Sequence, residues 1–162
     1  MGRRRRPAHL LRWLVVDIRT RTPDDLAACV EALAEVQAAD RYPVRRPDDP
    51  GAWLTPDRMA GAWIAVEAGA VLGHVALTLD AEVSRLFVTP AARGRGVAAR
   101  LLDTVRAATP QPLKLEVSSE GRAAIGLYER AGWRRVGSTR ATWLNAAGEP
   151  ALLYHYVSPP EG

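Results

Sequence analysis

Residues 82–108 read Glu82-Val-Ser-Arg-Leu-Phe-Val-Thr-Pro-Ala-Ala-Arg-Gly-Arg-Gly-Val-Ala-Ala-Arg-Leu-Leu-Asp-Thr-Val-Arg-Ala-Ala108. Val83 to Val88 is β-branched and aromatic and stops at Thr89-Pro90, the pattern of a strand. From Val97 onward the apolar residues Ala98, Leu101, Leu102 and Val105 recur at i, i+3, i+4 and i+7, the pattern of a helix. Arg93-Gly94-Arg95-Gly96 joins the two as a sharp turn. The first N–H groups of a helix lack intrahelical partners, and the helix dipole adds partial positive charge at the same end. Gly94 and Gly96 let backbone amides approach a phosphate without a Cβ in the way, while Arg93 and Arg95 add charge and fork-shaped donors. The turn is an anion site, and a pyrophosphate suits it.

Two better-known phosphate motifs are missing. There is no Gly-x-x-x-x-Gly-Lys-Ser/Thr, and the full Gly-x-Gly-x-x-Gly pattern does not occur. What remains, Arg93-x-x-Gly96-x-Ala98 after a strand, resembles the acetyl-CoA signature of the GNAT superfamily of N-acetyltransferases, Gln/Arg-x-x-Gly-x-Gly/Ala. A second stretch carries the resemblance independently. Leu115-Glu-Val117, then Ala124-Ile-Gly-Leu127-Tyr128-Glu-Arg-Ala-Gly132-Trp133, is similar to the superfamily's later strand and the helix bearing Leu-Tyr-x-x-x-Gly-Phe/Trp. The resemblance covers roughly residues 15–157, with its specific motifs confined to 82–108 and 115–133.

Length and composition agree with one domain: 162 residues, 48% hydrophobic and 25% charged. The net charge of +4 invites a nucleic-acid reading, but Arg3, Arg4, Arg5, Arg6 and Arg12 lie in a segment without acids. Setting those five aside takes the charge from +4 to −1. The body is near neutral, which argues against nucleic acid as a partner. Residues 1–12 are expected to be a solvated, disordered basic arm and residues 13–158 the folded domain. The run Leu10 to Val16 is broken by Arg12, is followed by Asp17 and has no small-residue cleavage site, so it reads as neither signal peptide nor membrane span. The expected location is cytoplasmic. Cys29, the one cysteine, has no disulfide partner and no metal-ligand spacing around it. It reads as a small core residue, and no metal is expected.

Outward from the central stretch, Leu14 to Arg21 reads as a first strand. Thr22-Pro23-Asp24-Asp25 then caps a helix that carries Leu26, Val30 and Leu33 and runs to about Ala39. Residues 41–57, with four prolines, form a long loop with at most a short helical turn, part of it packed through Tyr42 and Trp53. Asp48, Asp49 and Asp57 either favour a cationic amine there or keep the loop soluble. Ala62 to Glu67 and Val71 to Leu79 form a hairpin about Ala68-Gly69. After the central helix come a strand at Leu113 to Val117 and a helix capped by Ser118 or Ser119 and ended by Gly132. Two short strands (Trp133 to Val136 and Thr142 to Asn145) and a last strand from Ala151 to Val157 complete the chain. The expected fold is α/β (α+β): a GNAT-like single domain, a mixed central sheet of about six or seven strands flanked by helices.

The resemblance implies transfer of an acetyl group from acetyl-CoA, as co-substrate, to a primary amine by direct attack in a ternary complex. The residues agree, since no serine sits in a Gly-x-Ser-x-Gly elbow and Cys29 lies in an apolar helix pattern. By the same resemblance, backbone amides of Leu86, Phe87 and Val88 hold the pantetheine arm and thioester, and Arg93, Gly94, Arg95, Gly96, Val97 and Ala98 cradle the pyrophosphate. Tyr128 corresponds to the tyrosine that faces the sulfur and acts as general acid; a core tyrosine with a structural hydrogen bond is the alternative. Glu82 opens the central strand where many members carry the glutamate that takes the amine proton; a solvent-facing strand-edge carboxylate is the alternative. His74 is the second candidate base, with a hydrogen-bonded strand histidine as the plainer account. Gly121 stands where the family often has an asparagine that contacts pantetheine, a departure that removes a side-chain amide. A non-catalytic acyl-CoA-binding or regulatory domain of the same fold is the competing function. The acceptor is left open among small amines, antibiotics, amino acids and protein N-termini or lysines, and a homodimer is expected only by analogy with the superfamily.

Overall fold

The computed structural model describes residues 15–43 and 45–160. The basic arm of residues 1–12 and Leu14, the first residue of the expected opening strand, lie outside them. The chain runs β1 (Asp17–Thr20), a 3-10 turn (Pro23–Asp25), α1 (Leu26–Asp40) and a single helical turn α2 (Pro50–Trp53). Then follow β2 (Met59–Glu67), β3 (Ala70–Thr78), β4 (Val83–Val88), a second 3-10 turn (Pro90–Ala92) and α3 (Val97–Ala107). The last elements are β5 (Lys114–Ser118), α4 (Arg122–Arg130), β6 (Arg134–Leu144) and β7 (Pro150–Val157).

The seven strands lie in two antiparallel sheets, in the orders β1-β2-β3-β4 and β5-β7-β6. They meet at one parallel bridge, Glu82 with Lys114, where β4 and β5 begin. Beyond that point the two strands part. The cause is local to β4: Phe87 pairs with His74 and Ser84 with Ala76, so the pairing slips at Arg85, whose φ is +54°. A bulge of this kind bends and twists its strand, and here it turns β4 away from β5.

One core lies where α3 meets both sheets: Val97, Leu101, Leu102 and Val105 of the helix pack with Val75, Leu77, Val83, Leu115, Tyr128 and Tyr156. Burying each such aliphatic side chain contributes roughly 1.5–3 kcal/mol. On the other face of the first sheet, Cys29, Leu33 and Val36 of α1 pack with Leu54, Ile64 and Phe87. Cys29 is fully buried, as its apolar surroundings require. The buried stripe of α1 is Cys29, Ala32, Leu33 and Val36; Leu26 and Val30 are only partly covered.

Two local expectations are corrected. Gly121, not a serine, is the residue before α4; the Ser118 hydroxyl instead accepts from the Glu120 amide at 3.3 Å, closing a turn one step early. The two short strands expected over 133–145 are one eleven-residue strand, β6, because β7 pairs with it across both bulges.

Candidate active site

The turn after β4 is built as an anion cradle. Gly94 and Gly96 have φ of +77° and +74°, left-handed values that favour glycine, and a Cβ on either would meet no protein atom within 4 Å. Among the described residues, the backbone N–H groups of 94 to 99 donate to no acceptor; the first helical bond of α3 is from Arg100 to the Gly96 carbonyl at 3.1 Å. Six consecutive donors at the start of an eleven-residue helix thus have no described partner.

The two arginines of this turn are placed otherwise than expected. Arg93 forks onto Asp40 at the end of α1, and Arg95 forks onto Glu67 at the end of β2. Their charge lies beside the cradle, while their donors are engaged with carboxylates. Val97 is buried against the core and Ala98 lies in the first turn of α3.

From the cradle, the gap between β4 and β5 leads inward. Past the Glu82–Lys114 bridge neither strand has a ladder partner on that side, so both present unpaired backbone groups to the gap. Leu86 and Val88 turn their side chains toward the α3 core and Phe87 toward α1. Their backbone is therefore what the gap sees. Gly121 follows β5 at the start of α4, where a Cβ would stand 3.2 Å from the Ser118 carbonyl oxygen and 3.3 Å from Val117 Cγ2. A larger residue there requires its neighbours to yield.

Tyr128, on α4, is 6% exposed, with its ring 5.9 Å from Trp133 and 6.1 Å from Tyr156. Among the described residues its hydroxyl has no hydrogen-bond partner, whereas Tyr156 donates to Glu129 at 2.9 Å. Burial raises the Tyr128 pKa, and the nearby Tyr42 phenol adds to the rise. Tyr42, from the long loop, meets Trp53 edge to face at 5.8 Å. Tyr42 is 36% exposed overall, and packing around its phenol raises its own pKa, against the pull of Arg85.

Glu82 opens a cleft of about 280 Å³ lined by Lys114, Glu116, Val136, His155 and Tyr156. Desolvation raises its pKa first, the Glu116 carboxylate second, while Lys114 and Arg85 oppose them. Glu116 lies 3.5 Å from His155 Nδ1, and Thr139 Oγ1 is 2.8 Å from His155 Nε2. Tyr156 lines the Glu82 cleft, and its ring is 6.1 Å from that of Tyr128.

His74 does not line this cleft. It is fully buried, its Nδ1 2.9 Å from the Arg85 carbonyl oxygen and its Nε2 2.9 Å from Arg21 Nη1. The carbonyl requires the proton on Nδ1, so Nε2 accepts from Arg21. Burial pushes its pKa down to about 4. It is a neutral core histidine with both nitrogens engaged, which removes it as a base.

Side chains that sequence reasoning did not place at the site are Arg85, Glu116 and His155. A charged residue between apolar neighbours, as in Leu115-Glu116-Val117, is the available signal for the second; His155 is brought there by its pairing with Glu116, and Arg85 by the bulge in β4. Asp48, Asp49 and Asp57 do not line the Glu82 cleft; the Asp49 carboxylate accepts from the Ala52 amide at 3.0 Å and caps α2. Among the described residues no group of three or more His, Cys, Asp or Glu could hold a metal, and no helix is long and apolar enough to cross a membrane.

Comparison with known proteins bears on this arrangement. The chain is 39% identical over 83 residues to an uncharacterized protein of Mycobacterium leprae (strain TN), a match over 51% of this chain and 23% of that protein. The chain thus spans about a quarter of that relative's length. The fold is similar to that of the ribosomal-protein-S18-alanine N-acetyltransferase of Escherichia coli (TM-score 0.72, 19% identity, 91% of this chain and 97% of that one). It is also similar to a structure described as a putative phosphinothricin N-acetyltransferase (TM-score 0.71, 20% identity, 91% and 100%). A third is Arabidopsis thaliana NAA60 in complex with acetyl-CoA (TM-score 0.67, 20% identity, 88% and 97%). The sequence model of the acetyltransferase (GNAT) domain matches residues 55–142, from the end of the long loop through most of β6. That span takes in the bulged strand, the glycine turn and Tyr128, and the chain belongs to the GNAT acetyltransferases.

Proposed function

We propose that this acetyltransferase moves the acetyl group of acetyl-CoA directly to a primary amine while both are bound. The observation that carries the reading is the run of amides of 94–99 without a described partner at the start of α3, next to the edge where β4 parts from β5. Acetyl-CoA suits this arrangement, with pyrophosphate on the amides, pantetheine between the strands and sulfur toward the Tyr128 phenol. It supplies an activated acyl carbon as a thioester.

The residues then divide the work. Backbone N–H groups of Leu86 to Val88 would hold the arm and polarise the acyl carbonyl, a form of stabilisation that depends on fixed dipoles rather than side-chain identity. Glu82, with its raised pKa, takes a proton from the acceptor ammonium, directly or through water, so that the amine nitrogen can attack. Tyr128 gives its phenolic proton to the departing sulfur as the carbon–sulfur bond breaks. Its raised pKa keeps it protonated at neutral pH, and its hydroxyl is not held by another described residue. Each such proton transfer contributes roughly 10²–10⁴-fold. Arg93 and Arg95 supply charge to the pyrophosphate, either from where they stand or by leaving Asp40 and Glu67.

The test is thermal stability with acetyl-CoA and with CoA, followed by thiol release over a panel of amines. A ligand that binds only the folded form raises apparent stability by about 2.7 kcal/mol at a hundred times its dissociation constant. The expected result is stabilisation that disappears in the double variant Gly94→Glu, Gly96→Glu, together with amine-dependent thiol release. Stabilisation without turnover on any amine would instead support a non-catalytic acyl-CoA-binding domain. No stabilisation at millimolar acetyl-CoA would overturn both.

A further inference from the structure

Two arginines, Arg21 and Arg85, lie half-buried on the side of the first sheet that faces α1 and α2, and neither has a carboxylate partner among the described residues. Their situations differ. Arg21 engages both terminal nitrogens: Nη1 donates to the Leu54 carbonyl at 2.7 Å and to His74 Nε2, and Nη2 donates to Thr55 Oγ1 at 2.8 Å. Its donors are satisfied by the fold. Arg85 is fixed by its inner edge only. Nε donates to the Trp53 carbonyl at 2.8 Å, Nη1 donates to Ser84 Oγ at 3.2 Å, and the guanidinium lies 4.2 Å from the centre of the Trp53 ring. Nη2 has no described acceptor.

Arg85 is the bulged residue of β4, three positions from Glu82, and its charge lowers the pKa of both Glu82 and Tyr42. A fixed positive charge there repels an acceptor that is only an ammonium. An acceptor that also carries a carboxylate turns the repulsion into attraction, because a guanidinium edge matches a carboxylate in shape and charge. We infer that Arg85 is an anion receptor in the acceptor site and that the acceptor is a small zwitterionic amine of the α-amino-acid class, its ammonium toward Glu82 and its carboxylate on the outer edge of Arg85. Protein N-termini and lysine side chains, which offer no carboxylate beside the amine, are excluded as preferred acceptors.

The inference rests on the acetyl-transfer reading, and two measurements separate their failures. The first is thiol release with acetyl-CoA and three matched sets of acceptors: α-amino acids, their carboxamides and the corresponding decarboxylated amines, with a peptide bearing a free N-terminus alongside. The second is calorimetric binding of the same acids and amides in the presence of CoA. For the native protein the acid is expected to exceed its amide by about tenfold or more in kcat/KM, from the strength of a charge-assisted hydrogen bond. In Arg85→Gln that ratio falls to near one, mainly through KM, while Arg85→Lys keeps part of it and shows that the folded site survives. Amides, plain amines or the peptide equalling or exceeding the acids would overturn the anion receptor and leave the transfer reading intact. So would an acid preference that persists in Arg85→Gln. Arg85-dependent binding of acids without thiol release would overturn the transfer reading and keep the receptor. Neither binding of any acid nor thiol release with any acceptor would overturn both.

Discussion

A tyrosine that is 6% exposed and has no described hydrogen-bond partner for its hydroxyl is poorly explained by stability alone. Removing the oxygen of Tyr128 costs the fold no described hydrogen bond, so Tyr128→Phe is expected to melt within a degree or two of the native protein. If Tyr128 is the acid, kcat falls roughly 10²–10⁴-fold while the KM for acetyl-CoA changes little. Stopped-assay thiol release and a melting curve on the same preparation check both halves. Glu82 predicts a pH dependence. Only its carboxylate form takes a proton, so activity falls as pH drops through a pKa raised above the ordinary 4.5 by desolvation and by Glu116. Glu82→Gln is expected to lose that acidic limb along with most of the rate, as a pH profile of kcat/KM would show. At this scale the motif residues were legible because they recur at fixed spacing: Tyr128 in Leu-Tyr-x-x-x-Gly-Trp, the glycines in Arg-x-x-Gly-x-Ala. Arg85 was not. What makes it notable is an unused donor edge over Trp53, thirty-two residues earlier in the chain, and no local pattern encodes that.

At the scale of elements, the site depends on how closely α3 lies on the first sheet. Gly73 of β3 sets that distance: a Cβ there would stand 2.9 Å from the Phe87 carbonyl oxygen, 3.0 Å from Leu101 Cδ1 and 3.3 Å from Val97 Cγ1. The first contact is backbone of the adjacent strand and cannot rotate away. Gly73→Ala is therefore an overpacking change costing about 1–3 kcal/mol, which lowers Tm by roughly 2–4 °C per kcal/mol in a domain of this size. Because Val97 and Phe87 flank the cradle and the β4 edge, acetyl-CoA affinity falls as well; calorimetry on the folded fraction reads that loss separately from the melt. The helices and hairpins were legible as elements, since Val97 to Val105 and the Ala68-Gly69 turn carry period and turn chemistry in adjacent residues. The parting of the sheets was not. It follows from a one-residue slip at Arg85, where nothing in Ser-Arg-Leu-Phe marks a bulge, and the continuity of β6 came from its pairing with β7 rather than from its own sequence.

Across the whole molecule, the long loop, the first sheet and the acceptor side are tied together at His74. Its ring joins β3 to the Arg85 carbonyl on β4 and to Arg21 just after β1, and Arg21 in turn holds the Leu54 carbonyl and Thr55 at the end of the loop. Burial away from solvent pushes the folded pKa down to about 4, and the Arg21 guanidinium, which a proton on Nε2 would face, adds to the shift. An unfolded histidine titrates near 6.5. Between these values the unfolded chain binds a proton that the folded chain refuses, so stability is complete above about pH 6.5 and is lost progressively as pH falls toward 4. One proton over that interval amounts to about 3 kcal/mol. Asp25, paired with Arg19 and held below the usual carboxylate range, adds its own loss only at lower pH. Denaturant melts of the native protein should therefore decline through this window. His74→Gln, which cannot titrate and leaves one of the two contacts unmade, should start lower at pH 7.5 and stay nearly flat from 6.5 to 4. A parallel decline in native and variant proteins would assign the acid sensitivity elsewhere. Because the Arg85 carbonyl is bonded to the same ring, the acid step should also loosen the acceptor side before the acetyl-CoA cradle, whose glycine turn and start of α3 make no described hydrogen bond to His74. Acetyl-CoA protection measured at pH 5 is then expected to outlast acceptor binding.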